Sequence, residues 1–247
     1  MEIERCAPPR SPGNRVASND DMLPSLLLVL GLCATSTVAW PVSGWPWSST
    51  DSQRPLDDGK PGYHDPADGG GRMLDYTTIF WGEPLNVIIS GNSHPDVLSH
   101  QGLHKYAKSI GFAEECLGLH IGDIHSADLG DGEGRKDEQF LARQHYFPIW
   151  GTCWESLAGG NHFRAWRQRD TGAWFLAVSK EKYVGDHHQI VDDGYNIGRD
   201  YLVGRALRKG ARVEWKEGLI AEGDEGINHG IAQDGRVAVL TVPYMPW

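Results

Sequence analysis

Residues 85–111, LNVIISGNSHPDVLSHQGLHKYAKSIG, constrain the fold more than any other segment of the chain. Residues 85–90 form a continuous apolar run of buried-strand type, ended by Gly91. Ser93 and Asp96 then have the S-x-x-D spacing of a capping box, and Pro95 suits a first helical turn. Leu103, Tyr106, Ala107 and Ile110 recur at i, i+3, i+4, i+7, with Lys105 and Lys108 near the end and Gly111 placed to stop a helix. A second strand over 117–121 would complete a β-α-β unit. Residues 122–148 read as a polar excursion with a short helix around 138–144. Strands are expected at 149–157, and at 161–168 and 173–180 as a hairpin turning on Asp170-Thr171-Gly172. A second helix is expected over 196–209, followed by strands at 212–215 and 236–242. Two main helices among about six strands indicate an α+β domain with a mixed β-sheet, a β-α-β start and a central hairpin.

Ahead of that domain, residues 23–40 (LPSLLLVLGLCATSTVAW) are the one long uncharged apolar run. Its length is that of a signal peptide, and Thr37 and Ala39 fall at the −3 and −1 positions of a cleavage site. The alternatives are a buried core helix and a short membrane anchor, the latter shorter than the roughly twenty apolar residues a span needs. Arg5, Arg10 and Arg15 are diluted by Pro and Gly, and Asp20-Asp21 abut the run, which fits a translation start at Met22. Residues 1–39 therefore read as extension plus signal or anchor. Residues 40–72, rich in Pro, Gly, Ser, Asp and Trp, read as a linker, and 73–247 as a single domain. The expected product is secreted, with membrane contact only through 23–40 if it stays uncleaved. Cleavage would leave Cys116 and Cys153, natural disulfide partners in an oxidising compartment, with two buried thiols as the alternative.

The formal net charge of −10 argues against nucleic acid as a partner, because no excess of cations is available to displace counterions. Candidate chemistry lies in the hairpin and after it. In NHFRAWRQ, alternation puts His162, Arg164 and Trp166 on one face, with Phe163 and Ala165 turned to the core. An imidazole two residues from a guanidinium suits an anion or phosphate site, while the plain alternative is a solvent-facing hairpin shielded by its Trp. DHHQIVDDGYNIGRD adds His187, His188, Asp192, Asp193, Arg199 and Asp200, whose acids have helix capping as their plain alternative.

The order of NHFRAWR (161–167), TGAWFLAVSKE (171–181) and HQIVDDGYNIGRDYLV (188–203) resembles the LssY-type C-terminal domain, and also a group of small secreted fungal proteins. The likeness spans roughly 83–210. It implies a domain type and a shared site of His162, Arg164, His188, Arg199 and Asp200, with Trp166 beside it, but no reaction. The expected function is binding of a small anionic or phosphorylated ligand by this His/Arg cluster. Two alternatives stand: phosphoester hydrolysis with His162, Arg164 and His188 as the catalytic candidates, or a non-catalytic surface or glycan interaction.

Other features rank lower. Asp123, Asp128, Asp131 and Glu133 place four acids in a Gly-rich loop, a weak calcium signal without EF-hand spacing, and no other cofactor is indicated. His100 and His104 have the i, i+4 spacing of a zinc pair, yet Gln101 stands where H-E-x-x-H needs its general base. His120 and His125 share no obvious face. No nucleophile elbow, P-loop or dinucleotide fingerprint is present.

Overall fold

The computed structural model describes residues 61–118, 123–187 and 189–244. They lie within one unit, Ser48–Trp247. A seven-stranded sheet organises them. Its strands are β1 (Val87–Ile89), β2 (Phe112–Ala113), β5 (Phe140–Gln144), β6 (Gly160–Arg167), β7 (Trp174–Glu181), β8 (Arg212–Glu217) and β9 (Arg236–Thr241), and a separate small hairpin joins β3 (Ser126–Asp128) to β4 (Arg135–Asp137). The spatial order is β2-β5-β6-β7-β1-β9-β8, with β1 and β9 parallel and every other pair antiparallel. The helices are α1 (Pro95–Leu98), α2 (His100–Ser109), α3 (Cys153–Ala158) and α4 (Gly194–Arg208). This is the expected α+β fold with a mixed sheet. No helix among the described residues is long and apolar enough to cross a membrane.

The antiparallel steps from β1 to β2 leave those two strands parallel. The β-α-β start is therefore present, with its second strand at Phe112–Ala113; residues 116–118 form a 3-10 turn, and 119–122 lie outside the described residues. The first helix also divides. His94 caps α1 through Asp96 N, and the Ser99 hydroxyl caps α2 through Gly102 N. Ser93, expected as the cap, instead accepts from Val242 N, tying the helical segment to the end of β9.

Both faces of the sheet are buried. One face packs under α2 and α4 around Leu103, Tyr106, Phe112, Phe163, Leu176, Leu202 and Leu240. The opposite face, bearing Ile88, Trp166, Phe175, Ala177 and Val239, is covered by Met73, Ala127 and Leu129 from the β3–β4 hairpin and the chain before β1. Phe163 and Ala165 thus face the core as their alternation predicts, but the face of His162, Arg164 and Trp166 is a second interior and not solvent.

Two expected elements change type. Residues 140–144 form β5, because FLARQ lies between β2 and β6 with Phe140 and Ala142 in the helix-side core. Tertiary burial there outweighs local helix propensity. Residues 153–158, expected within a strand, form helix α3. The later helix and strands and the central hairpin fall close to their expected places.

Residues 61–72, expected in the linker, are bound to the domain. Gly62 O accepts from Gly91 N, Gln168 bonds both His64 N and His64 O, and Arg72 N donates to Asp128 O. Asn86, just before β1, joins β7 through its side chain. Its amide pairs with both backbone groups of Val178 (3.0 and 2.8 Å) and donates to Tyr195 O, continuing the β-ladder past the end of β1. α4 packs against β7, with Gly198 so close that a Cβ there would lie 2.5 Å from the Ser179 carbonyl carbon.

Candidate functional site

The polar residues of the second interior form two neighbouring clusters. The first is built by a narrow loop, residues 74–84, that folds back on itself. Asp75 N donates to Glu83 O, Glu83 N donates to Asp75 Oδ1 (2.7 Å), and Thr78 N closes the tip on Trp81 O. Gly82 is required at the return, since a Cβ would lie 2.0 Å from Asp75 O. Tyr76 pairs antiparallel with Ser126, which draws His125 alongside: its Nδ1 lies 2.8 Å from Asp75 Oδ2. Arg164 of β6 enters from the sheet, donating to the Glu138 carboxylate and to Asp123 O.

Asp75, Glu83 and His125 are all buried, and each offers a ligand atom within 4.8 Å of the others. Among the described residues this is the group of three or more His, Cys, Asp or Glu with that convergence. Glu83 Oε2 is buried without a hydrogen-bond partner, and so is Arg164 Nε. Burial, reinforced by the Asp75 carboxylate, pushes the Glu83 carboxyl up to about 7. Burial is the largest influence on His125 and works against its charge, but the hydrogen bond to Asp75 together with the negative charges of Asp75 and Glu83 raises the imidazole pKa overall. Asp75, Glu83 and Glu138, when ionised, carry three negative charges against the Arg164 guanidinium, an excess of two with His125 neutral and of one with it protonated. A buried excess of that size has to be neutralised, by protons or by a cation.

The second cluster lies on the same face of the sheet. Arg143 of β5, His162 of β6 and Ser179 of β7 are cross-strand neighbours in register. Arg143 pairs with Glu115, Glu155 and Glu181, and His162 Nδ1 lies 3.3 Å from Ser179 Oγ and 3.4 Å from Glu181 Oε1. His162 is only 1% exposed, and burial pushes its imidazole down to about 3, so it is neutral at every physiological pH. It is a core hydrogen-bonding group enclosed beside Ser179 and Glu181. The Cys116–Cys153 disulfide forms as expected and joins the segment of Glu115 to the helix of Glu155, clamping both carboxylates on Arg143.

The sequence-predicted residues therefore divide. Arg164 belongs to the first cluster and His162 to the second. Trp166 is fully buried among Ile88 and Phe175 as core. Arg199, nearly fully buried on α4, holds Asp234 bidentately, bonds Asn196, Asp200 and Arg236 O, and stacks on Trp215. None of these partners belongs to either cluster. Asp200 is an exposed partner of Arg199. His188 lies outside the described residues, as does His120.

The acidic loop is occupied by a side-chain cation: Lys136 binds both Asp131 and Glu133, while Asp128 turns back onto Gly130 N. His100 bonds Gln139 O, and His104 stacks on Phe140 and binds Glu114, so the pair serves packing. An open groove of about 620 Å³ runs along the disulfide past Lys108, His145 and Trp150, and neither Asp75, Glu83, His125 nor Arg164 lines it.

Asp75, Glu83 and His125 were missed as a set because their meeting depends on a loop closure and a single bridge, which leave no periodic trace. The available signal is DYTTIFWGE, an acid at each end of a short apolar tip with Gly before the second acid. No family model, curated protein or solved structure matches the chain.

Proposed function

We propose that the domain binds a divalent cation of the zinc or manganese type through Asp75, Glu83 and His125. Through that cation and Arg164 it holds a small anionic ligand, foremost a phosphorylated one. The observation that carries this reading is the convergence of three buried donors with Glu83 Oε2 left unpartnered. Two carboxylates and an imidazole suit these metals, and three protein ligands leave positions for water or substrate. Calcium fits less well, since it takes six to eight oxygens.

This moves the anion site from His162 to the neighbouring loop cluster on the same face of the sheet, which Arg164 also enters. A direct anion site of His162 and Arg164 is disfavoured, because His162 is neutral and enclosed and brings no positive charge to an anion. Asp75, Glu83 and His125 would hold the ion, which would supply Lewis-acid chemistry suited to phosphoester hydrolysis, while Arg164 would bind the negative charge of the substrate. The resemblance to the LssY-type C-terminal domain belongs to the same proposal, as does secretion, which the disulfide supports.

The test is isothermal titration of the metal-stripped full chain with Mn²⁺ and Zn²⁺, followed by a phosphoester panel on the loaded protein. One ion per chain, lost in Glu83→Gln, supports the reading. Absence of saturable binding by both ions defeats it.

A further inference from the structure

The loop that supplies Asp75 and Glu83 carries an apolar tip outward. Ile79, Phe80 and Trp81 are 72%, 78% and 47% exposed, and the turn at the tip is closed by Thr78 Oγ1, which accepts from both Phe80 N and Trp81 N. Continuing the antiparallel register of Tyr76 with Ser126 brings Ile124 level with Thr78, and Ile124 is 64% exposed. The Ile79–Trp81 tip lies between Asp75 and Glu83 in the chain and Ile124 immediately precedes His125, so both apolar segments adjoin residues of the proposed centre.

We infer that this tip is an anchor for a zwitterionic lipid surface, which presents the Asp75/Glu83/His125 centre to an anionic group borne by a lipid. The surface inference stands on the tip itself; the lipid-borne ligand rests on the proposed metal centre. Two observations select the occupant. The four side chains present roughly 500 Å², short of the about 800 Å² per partner of a standard protein interface, whereas protruding aliphatic and aromatic side chains suit insertion at a membrane–water boundary. The charges around the tip select neutral lipid. Arg72 and Arg135 are stacked on Tyr76, but exposed Asp123 adjoins Ile124. Exposed Asp224 and Glu225 immediately precede Gly226, whose carbonyl receives Gly82 N. With a net charge of −10 on the chain, anionic vesicles would repel it.

The experiment is co-sedimentation of the full chain with phosphatidylcholine vesicles. A background of Leu27→Glu and Leu30→Glu removes lipid binding by the apolar run 23–40. The background protein is expected to sediment, and Ile79→Asp with Phe80→Asp to weaken partitioning at least tenfold, while Mn²⁺ stoichiometry is unchanged. Unchanged far-ultraviolet circular dichroism, a readout independent of the metal, shows that the variant folds. Equal sedimentation of the two proteins, or none by either, overturns the anchor. Self-association in sedimentation velocity that the variant abolishes, without vesicle binding, overturns it in favour of a protein partner. Vesicle binding without metal binding retains the anchor and removes the metal centre; metal binding without vesicle binding does the reverse.

Discussion

Acidification from pH 7 to pH 5 should destabilise the domain through His162, and His162→Gln should remove that part of the loss. The imidazole is enclosed between Arg143, Ser179 and Glu181, and burial holds its pKa near 3. In the unfolded chain it titrates near the reference value of about 6.5. Between those values the unfolded state takes a proton that the native state refuses. Stability contributed by neutral His162 is therefore complete above pH 6.5 and is lost as pH falls towards 3. Each pH unit inside the window is worth about 1.4 kcal/mol, so the loss between pH 7 and pH 5 is about 2 kcal/mol. For a unit of this size that corresponds to roughly 4–8 °C in Tm. The raised Glu83 carboxyl acts in the opposite sense over part of the same window, so absolute stability is not the readout. The readout is the difference between wild type and variant, by urea denaturation at both pH values with chelator present. Static costs of the substitution cancel in that comparison. Parallel pH slopes for the two proteins would refute the assignment of His162 as a buried neutral group.

Three further perturbations probe the framework. Cys116→Ser with Cys153→Ser opens a bridge spanning 37 positions, for which the chain-entropy relation gives about 4 kcal/mol of lost stability, measured by denaturant melts under non-reducing conditions. Arg199→Ala leaves Asp234 without its bidentate partner and Trp215 without one of its stacked guanidiniums; a loss of about 3 kcal/mol is expected in the same melts, with metal binding retained. Gly82→Ala places a methyl against Asp75 O, so metal affinity should fall at least tenfold by titration calorimetry while the far-ultraviolet circular dichroism of the sheet is kept.

The fold was legible where one local signal decided an element. The alternation in NHFRAWRQ and the turn at Asp170-Thr171-Gly172 located β6 and β7, and the i, i+3, i+4, i+7 row located α2. Legibility failed where tertiary context decided. FLARQ becomes a strand because it lies between β2 and β6 in the sheet, and the second strand of the β-α-β start falls at Phe112–Ala113, ahead of the expected 117–121, of which 119–121 lie outside the described residues. The site was legible in part. Arg164 reads as a charged group on the face of β6 turned away from the core, and that face is itself covered; its neighbours come from the loop of Asp75 and Glu83 and from the bridge beside His125, both distant in sequence. His162 was misjudged because alternation reports which face a side chain takes and not whether another layer covers that face.

The central claim is that Asp75, Glu83 and His125 form a divalent-cation centre. Its most direct measurement is titration calorimetry of the metal-stripped full chain with Mn²⁺ and Zn²⁺, beside Glu83→Gln and Asp75→Asn. The account predicts one ion per wild-type chain, with binding weakened at least a hundredfold in each variant while circular dichroism is unchanged. Saturable binding that survives both substitutions, or no binding by the wild type, would contradict it.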